Sequence, residues 1–349
     1  MLFPDWPPGP GLIGIARLAA ESEVLEHKRR VEYLELPVRS FIGRCSSRRV
    51  PFEWTINPYR GCEFGCKYCY ARYTHEFMEL RNPEDFEQKI FAKKWNEAEF
   101  RAELKKIPRH VDIAIGSATD PYQPAERRYG ITRKMLEAAA GERGRRFWIT
   151  TKSDLVVRDC DVLEQIARAN RIQVNMTVTT MNERLARLLE PYAPRPSLRM
   201  AAVRKLSEAR IRCGVLCCPV MPWINDSEAS LEAVARAAAG AGAVAFYGNV
   251  LFLKPCARQV FLPFVERQFP SLFRRYRERF EKSAFLRGDY PRMIQQRVQA
   301  IRERHGLTGR SFQYETETFA DEQLTLFDAN QPRISQTRAD RRLECPSQQ

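Results

Sequence analysis

Between residues 52 and about 255 the chain alternates between two hydrophobic patterns. Apolar runs rich in β-branched and aromatic residues occupy 52–57, 111–116, 147–150, 172–178, 212–217 and 243–251. Their lengths suit strands buried on both faces. Between them, apolar positions recur every three to four residues over 132–140, 160–169, 198–209 and 228–239, the signature of helices with one buried stripe. Strands separated by helices predict parallel βαβ units, arranged as a doubly wound sheet or a partial (β/α) barrel. In either arrangement the chemistry belongs at the carboxyl ends of the strands.

The flanks read differently. Residues 1–50, rich in Pro and Arg, predict an arm that packs onto the core of 51–255. From 256 to 327 helical spacing returns: Leu272, Tyr276 and Phe280, then Ile294, Val298 and Ile301, mark two packed amphipathic helices. The polar segment 328–349 predicts disorder. The uncharged stretch 237–253 is broken by Gly240, Gly242, Gly248 and Asn249 and falls short of a membrane span. The chain also lacks a basic start followed by an apolar h-region, so the expectation is a cytoplasmic protein.

Composition adds the charge. The 349 residues, 44% hydrophobic and 29% charged, are those of a folded soluble chain with a sizeable core. The 57 Lys and Arg exceed the 43 Asp and Glu for a formal +14. Segment 271–310 holds eleven basic residues against four acidic ones, half of that excess. It is either a solvated helix face or a face for DNA or RNA.

Ten cysteines are spread through the chain, but three fall together just after the first strand, in Asn57-Pro-Tyr-Arg-Gly-Cys62-Glu-Phe-Gly-Cys66-Lys-Tyr-Cys69-Tyr. Clustered thiols in a long chain point to metal before disulfides. Thiolates of Cys62, Cys66 and Cys69 closing on one loop can each ligate one iron of a 4Fe-4S cluster. The fourth iron is then open to chelate the amino and carboxylate groups of S-adenosylmethionine. Two other readings stand beside it: a structural zinc site with His75 as fourth ligand, and three unrelated buried cysteines. Zinc sites usually pair two separated knuckles, and no second knuckle occurs. The other seven cysteines are structural by default.

The C-x3-C-x-aromatic-C pattern of Cys62, Cys66, Tyr68 and Cys69 resembles the signature of the radical S-adenosylmethionine (radical SAM) superfamily, whose aromatic position packs against the adenine. Residues from about 52 to 226 further resemble its spore photoproduct lyase-like branch. The matching segments are Ile115-Gly-Ser117-Ala-Thr119-Asp120-Pro-Tyr-Gln-Pro, Thr150-Thr-Lys152-Ser153, Leu189-Glu-Pro191, the helix bearing Arg199, and Gly214-Val-Leu-Cys-Cys-Pro219-Val-Met-Pro-Trp-Ile-Asn225-Asp226. The resemblance implies a partial (β/α)6 barrel, a 4Fe-4S cluster, and hydrogen-atom abstraction from a substrate, which in the namesake enzymes is a thymine dimer in DNA. It also implies an electron donor such as flavodoxin or ferredoxin. On this reading Lys152 suits the methionine carboxylate, Thr119 and Asp120 its ammonium, and Thr177 the ribose or methionine end. Taken alone, polar residues at strand ends are usually caps or turn formers.

One position departs from the branch. Where the lyases place a cysteine shortly after the second strand to return a hydrogen atom to the product radical, this chain has Ser117. A serine O–H bond is far stronger than a thiol S–H bond, so Ser117 cannot take over that role. Either Cys217, Cys218 or Tyr122 supplies the hydrogen, or the reaction differs, and the second option is favoured with Cys217 and Cys218 as structural thiols. Further on, Gln323, Leu324, Thr325, Leu326 and Phe327 resemble the Q-L-x-L-F peptide that docks bacterial DNA-maintenance proteins on the sliding clamp. The alternative is a short strand or helix turn covering the barrel. The leading function is a radical SAM enzyme acting on nucleic acid. Its competitors are the same chemistry on a peptide or small molecule, and a zinc-stabilised nucleic-acid module.

Overall fold

The alternation of strand and helix patterns closes into parallel units, as its spacing predicts. The computed structural model describes residues 11–28, 30–45 and 50–309. Its strands are β1 (Glu23–Lys28), β2 (Val31–Leu36), β3 (Ile42–Arg44), β4 (Trp54–Ile56), β5 (Tyr59–Arg60), β6 (Lys89–Lys93), β7 (Asp112–Ile115), β8 (Arg146–Thr151), β9 (Arg171–Thr177), β10 (Cys213–Val220) and β11 (Ala245–Val250). Seven of them form one sheet in the order β11-β10-β9-β8-β7-β4-β3. All pairings from β4 to β11 are parallel, and β3 adds antiparallel to the outer edge of β4. Helices Ile131–Ala140, Cys160–Ala169, Pro196–Glu208 and Glu228–Gly240 lie in successive crossovers. β4 and β11 do not pair, so the barrel is partial and open.

The two faces of β9 show how residue order sorts the barrel wall. Every residue of the strand but the first is buried. Ile172, Val174 and Met176 join Val162, Leu163 and Ile166 of the Cys160–Ala169 helix in the main core. Each fully buried aliphatic side chain there contributes roughly 1.5–3 kcal/mol. Gln173 and Asn175 point the other way, into the lumen, and hydrogen-bond each other at 2.8 Å. Gly214 of β10 faces that pair, and a Cβ there would lie 2.8 Å from Asn175 Oδ1 and 2.9 Å from Gln173 Nε2. On β9 the helix side is apolar and the lumen side is polar, while Leu216 of β10 and Ala245 of β11 add apolar groups to the lumen face.

The flanks depart from the sequence expectation. The segment before residue 46 is not a plain arm: β1 and β2 form a hairpin, β2 runs parallel to β6, and β6 pairs with β5. This second sheet ties the N-terminal segment to the loop that follows β4. Beyond 255 there are three described helices rather than two: Pro255–Gln268, Pro270–Phe280 and Asp289–Arg304. Pro263 inside the first interrupts its periodic signal. Tyr276, Phe280, Ile294, Val298 and Ile301 are buried, as their spacing predicts, while Leu272 is only partly so. Phe261, Tyr276 and Phe280 share one core with Phe64, Cys66, Tyr68 and Met221, so the first two of these helices form a wall against the cysteine loop, while Ile294, Val298 and Ile301 of the third join the main core. Residues 305–309 cover the free edge of β11, where Gly309 N–H donates to the Val244 carbonyl at 2.9 Å. Among the described residues no helix is long and apolar enough to cross a membrane. The motif at 323–327 and the tail 328–349 lie outside the described residues.

Candidate active site

The loop after β4 is pinned before it reaches its first thiol. Asn57 Nδ2 donates to Thr55 Oγ1 and Ser117 Oγ, both at 3.1 Å, and Asn57 Oδ1 accepts from the Ala118 N–H at 2.8 Å. The Ser117 hydroxyl also shares a short hydrogen bond with Thr55, so it staples the ends of β4 and β7 together. Gly61, at φ +82°, permits a close pass: a Cβ would meet the Lys89 and Phe86 carbonyls at 2.7 and 2.8 Å. Cys62 N–H then donates to Phe86 at 2.9 Å, and Lys67 N–H to Leu189 at 2.9 Å. Arg72 donates to the Cys66 carbonyl at 3.1 Å while ion-paired with Glu87. The thiol loop is therefore clamped from β7, from the Asp85–Gln88 turn and from the segment after Leu189.

Cys62, Cys66 and Cys69 are free thiols close enough to feel one another's charge. Burial pushes the Cys66 thiol up to about 12, against the pull of the Lys152 charge. Burial likewise raises Cys62, helped by Asp120, and raises Cys69 against Arg72 and Lys152. Such thiols ionise when a cation joins them, because a bound metal inverts the local charge balance. Among the described residues, no three His, Cys, Asp or Glu side chains converge as ligands of a single ion. The zinc reading required His75, but its ring packs between Phe86 and Phe91 with Nε2 3.1 Å from the Lys89 carbonyl, and burial lowers its pKa to about 4. Three thiols spread along one loop suit a cluster with one ligand per iron better than one tetrahedral ion.

Opposite the thiols lies a buried charge network. Thr179 Oγ1 donates to Glu190 Oε1 at 2.7 Å, the Tyr68 hydroxyl donates to the same oxygen, and Arg199 pairs with Glu190 Oε2 at 2.5 Å. Arg199 also donates to the Thr177 carbonyl at 3.0 Å and the Pro194 carbonyl at 2.7 Å. Burial alone would raise the Glu190 pKa, but Arg199 and Lys152 outweigh it and hold the carboxyl below its ordinary value. Burial similarly opposes the Lys152 ammonium, yet Cys66 and Glu190 keep its pKa raised. That ammonium lies 5.7 Å from the Tyr68 ring centroid and has no ion pair or acceptor among the described residues.

The structure redistributes several expected roles. The Asp120 carboxylate is taken by three donors, Tyr122 N–H at 2.9 Å, Thr151 Oγ1 at 2.7 Å and Lys152 N–H at 2.7 Å. It clips the loop after β7 to the end of β8 and so positions Lys152. Thr119 donates to the Gly61 carbonyl at 2.6 Å and accepts from Gln123 at 3.0 Å, which makes it a support for the thiol loop. The Thr177 side chain lies on the lumen face by alternation with Gln173 and Asn175. Tyr122 is not a lumen residue: its buried phenol lies beside Asp159, Glu126 and Arg158 behind the sheet. Cys217 also points away, into the main core, with Sγ 3.4 Å from the Thr179 carbonyl. Cys218, one residue on, is half-buried on the lumen face, where burial raises its thiol to about 11 against the Lys152 charge. Glu190, Arg199 and Asn57 were not singled out as site residues by sequence reasoning. The available signal was Arg199 on the buried stripe of Met200, Ala202 and Val203, since a charge there requires a partner.

A family model described as the radical SAM superfamily matches residues 56–234. The uncharacterized protein Rv2578c of Mycobacterium tuberculosis is 34% identical over 263 residues, which cover 74% of this chain and 76% of that protein. The uncharacterized protein MJ0683 of Methanocaldococcus jannaschii is 29% identical over 182 residues, 50% of this chain and 63% of its own length. Among solved structures, a spore photoproduct lyase complexed with dinucleoside spore photoproduct superposes with a TM-score of 0.59 at 15% identity, over 86% of this chain and 85% of that one. A variant of that lyase with bound AdoMet and the same dinucleoside gives the same values. At such identity the likeness is one of fold.

Proposed function

The chain belongs to the radical SAM superfamily, and from that premise we propose that Cys62, Cys66 and Cys69 hold a 4Fe-4S cluster, that S-adenosylmethionine binds beside it, and that the substrate is a nucleic acid. When bound and reduced by a donor such as flavodoxin or ferredoxin, the cluster supplies the electron that cleaves S-adenosylmethionine to a 5′-deoxyadenosyl radical. The carrying observation is the unpaired Lys152 ammonium, close to the Cys66 and Cys69 thiols and to the Tyr68 ring. It is a fixed point charge for the methionine carboxylate. Asp120 aims the Lys152 backbone, and Glu190 with Arg199 holds Tyr68 and the carboxyl end of β9. Thr177 lines the lumen at the same level.

The substrate class rests on charge: segment 271–310 carries half of the chain's basic excess, and its Pro270–Phe280 helix, with Pro255–Gln268, walls the thiol loop. Ser117 is engaged in a staple and its O–H bond is too strong for hydrogen return, which argues for a reaction other than photoproduct reversal through that position. Cys218 is the thiol on the lumen face for any such return. Anaerobically reconstituted protein should bind about four irons per chain and release 5′-deoxyadenosine on reduction with S-adenosylmethionine. Stoichiometric zinc without iron would overturn the proposal. DNA binding whose log affinity falls with log salt separates a nucleic-acid substrate from a peptide or small molecule.

A further inference from the structure

Resting on that nucleic-acid reading and deepening it, we propose that Trp223, backed by Arg275 and Arg279, is a stacking platform for an unpaired nucleotide of single-stranded DNA. The loop bearing Trp223 follows β10 and so stands at the carboxyl ends of the strands, the edge that carries the thiols. The loop is firmly held. Asn225 accepts from Met221 N–H at 2.6 Å and donates to the Thr179 and Pro219 carbonyls at 2.8 and 3.1 Å. The Tyr276 hydroxyl donates to the Pro222 carbonyl at 2.7 Å, and that of Tyr290 to Asp226 at 2.8 Å. In this rigid setting Trp223 adopts φ +61°, a left-handed conformation disfavoured for a bulky side chain, and its indole is left 41% exposed. An anchored loop that bends against its preference to present a large ring to water is a feature of recognition surfaces.

The surroundings of the ring define what it fits. The guanidinium carbons of Arg275 and Arg279, one turn apart on the Pro270–Phe280 helix, lie 5.2 and 4.8 Å from the indole centroid. Tyr276 of the same helix meets it edge-on at 6.3 Å. These groups approach from the helix side, so the exposed surface of the ring faces outward. Arg274 is ion-paired with Glu278 at 2.8 Å, whereas neither Arg275 nor Arg279 has a carboxylate partner among the described residues. A partly exposed ring backed by two guanidinium groups that lack carboxylate partners, Arg279 also lying 5.9 Å from the Tyr290 ring, matches a base and its flanking phosphates. A duplex hides the faces of its bases, so the strand must be unpaired at this point. The fold's likeness to a lyase crystallised with a dinucleoside photoproduct favours DNA as the strand.

Fluorescence anisotropy with a labelled oligodeoxynucleotide tests this on the full-length reconstituted protein. The wild type should bind the single strand more tightly than its duplex or an RNA strand. Trp223→Leu should weaken binding about 10-fold and Trp223→Phe markedly less, because a ring stacks where an aliphatic side chain does not. Replacing Arg275 and Arg279 together by Ala should reduce the slope of log affinity against log salt by about 1.4. Equal affinity of wild type and Trp223→Leu overturns the platform while leaving the nucleic-acid reading intact. Release of 5′-deoxyadenosine by a wild type that binds no DNA at low salt overturns both. Preference for the RNA strand or for an acidic peptide overturns the choice of DNA. Should Trp223→Leu unfold, the Phe variant and the arginine pair still decide.

Discussion

Two charge networks draw on the segment that follows β8, one through Arg158 and Asp159 and the other through Lys152, and their composition is similar. Behind the sheet, Glu126 accepts from the Tyr59 hydroxyl at 2.6 Å, Thr132 N–H at 2.8 Å and Arg158 at 2.7 Å. Asp159 there accepts from Arg133 at 3.1 Å and Arg158 at 2.8 Å. On the lumen side, Glu190 is matched by Arg199, Thr179 and Tyr68, but Lys152 is left over. In the first network each buried carboxylate has an arginine partner, and the network acts as a brace. The second holds a surplus cation beside Cys66 and Cys69, the charge that the proposed binding of the methionine carboxylate would use.

Breaking the thiol set gives the largest effect: Cys66→Ala should reduce iron binding and 5′-deoxyadenosine release to background, measured by metal analysis and chromatography, with little change in secondary structure by circular dichroism. Arg199→Ala strands Glu190 and should lower stability by about 3–5 kcal/mol, followed by thermal unfolding. The sign of its pH dependence follows from the depressed Glu190 pKa. The wild-type pair stabilises above the ordinary glutamate range and loses that contribution as pH falls and Glu190 protonates. The gap between wild type and Arg199→Ala should therefore narrow on acidification, and a constant gap would break the comparison.

Lys152→Met should leave the unfolding midpoint nearly unchanged yet raise the KM for S-adenosylmethionine about 10- to 100-fold, the range of a hydrogen bond to a charged group. Arg158→Ala should do the reverse, lowering the midpoint while sparing KM. Burial of His75 as the neutral ring contributes stability that is present above pH 6.5 and lost as pH falls towards 4. That amounts to at most about 3 kcal/mol, and His75→Leu should flatten this limb of the unfolding curve. The smallest contrast separates neighbours: Cys218→Ala should alter product distribution with little effect on stability, whereas Cys217→Ala should destabilise by about 1–2 kcal/mol without altering products.

Much of the fold was legible because its strands are continuous apolar runs and its crossover helices carry a clean stripe. The helix at Cys160–Ala169 coincides with its periodic segment. The elements without a clear period are the short β5, the Pro263-interrupted helix, and the β1–β2 hairpin, whose β2 pairs with a strand 57 residues further along the chain. The site was legible where chemistry is local, in the Cys62 to Cys69 spacing, and illegible where roles depend on which donor is nearest. Asp120 and Thr119 have the right chemistry for an ammonium, but their hydrogen bonds go to the chain's own backbone and to the Thr151 and Gln123 side chains.

Residue order by itself determines the strand and helix succession, the three thiols on one loop and the concentration of positive charge beyond residue 255, because period, spacing and charge are properties of neighbours along the chain. Only tertiary structure decides that Cys218 rather than Cys217 faces the lumen, that Tyr122 is turned away, that Glu190 and Arg199 neutralise each other, and that Lys152 remains unpaired. Those outcomes depend on side-chain direction and on the pairing of charges from separate crossovers. The free energy of a buried charge is set by what lies within a few ångströms in space, whatever its distance in sequence.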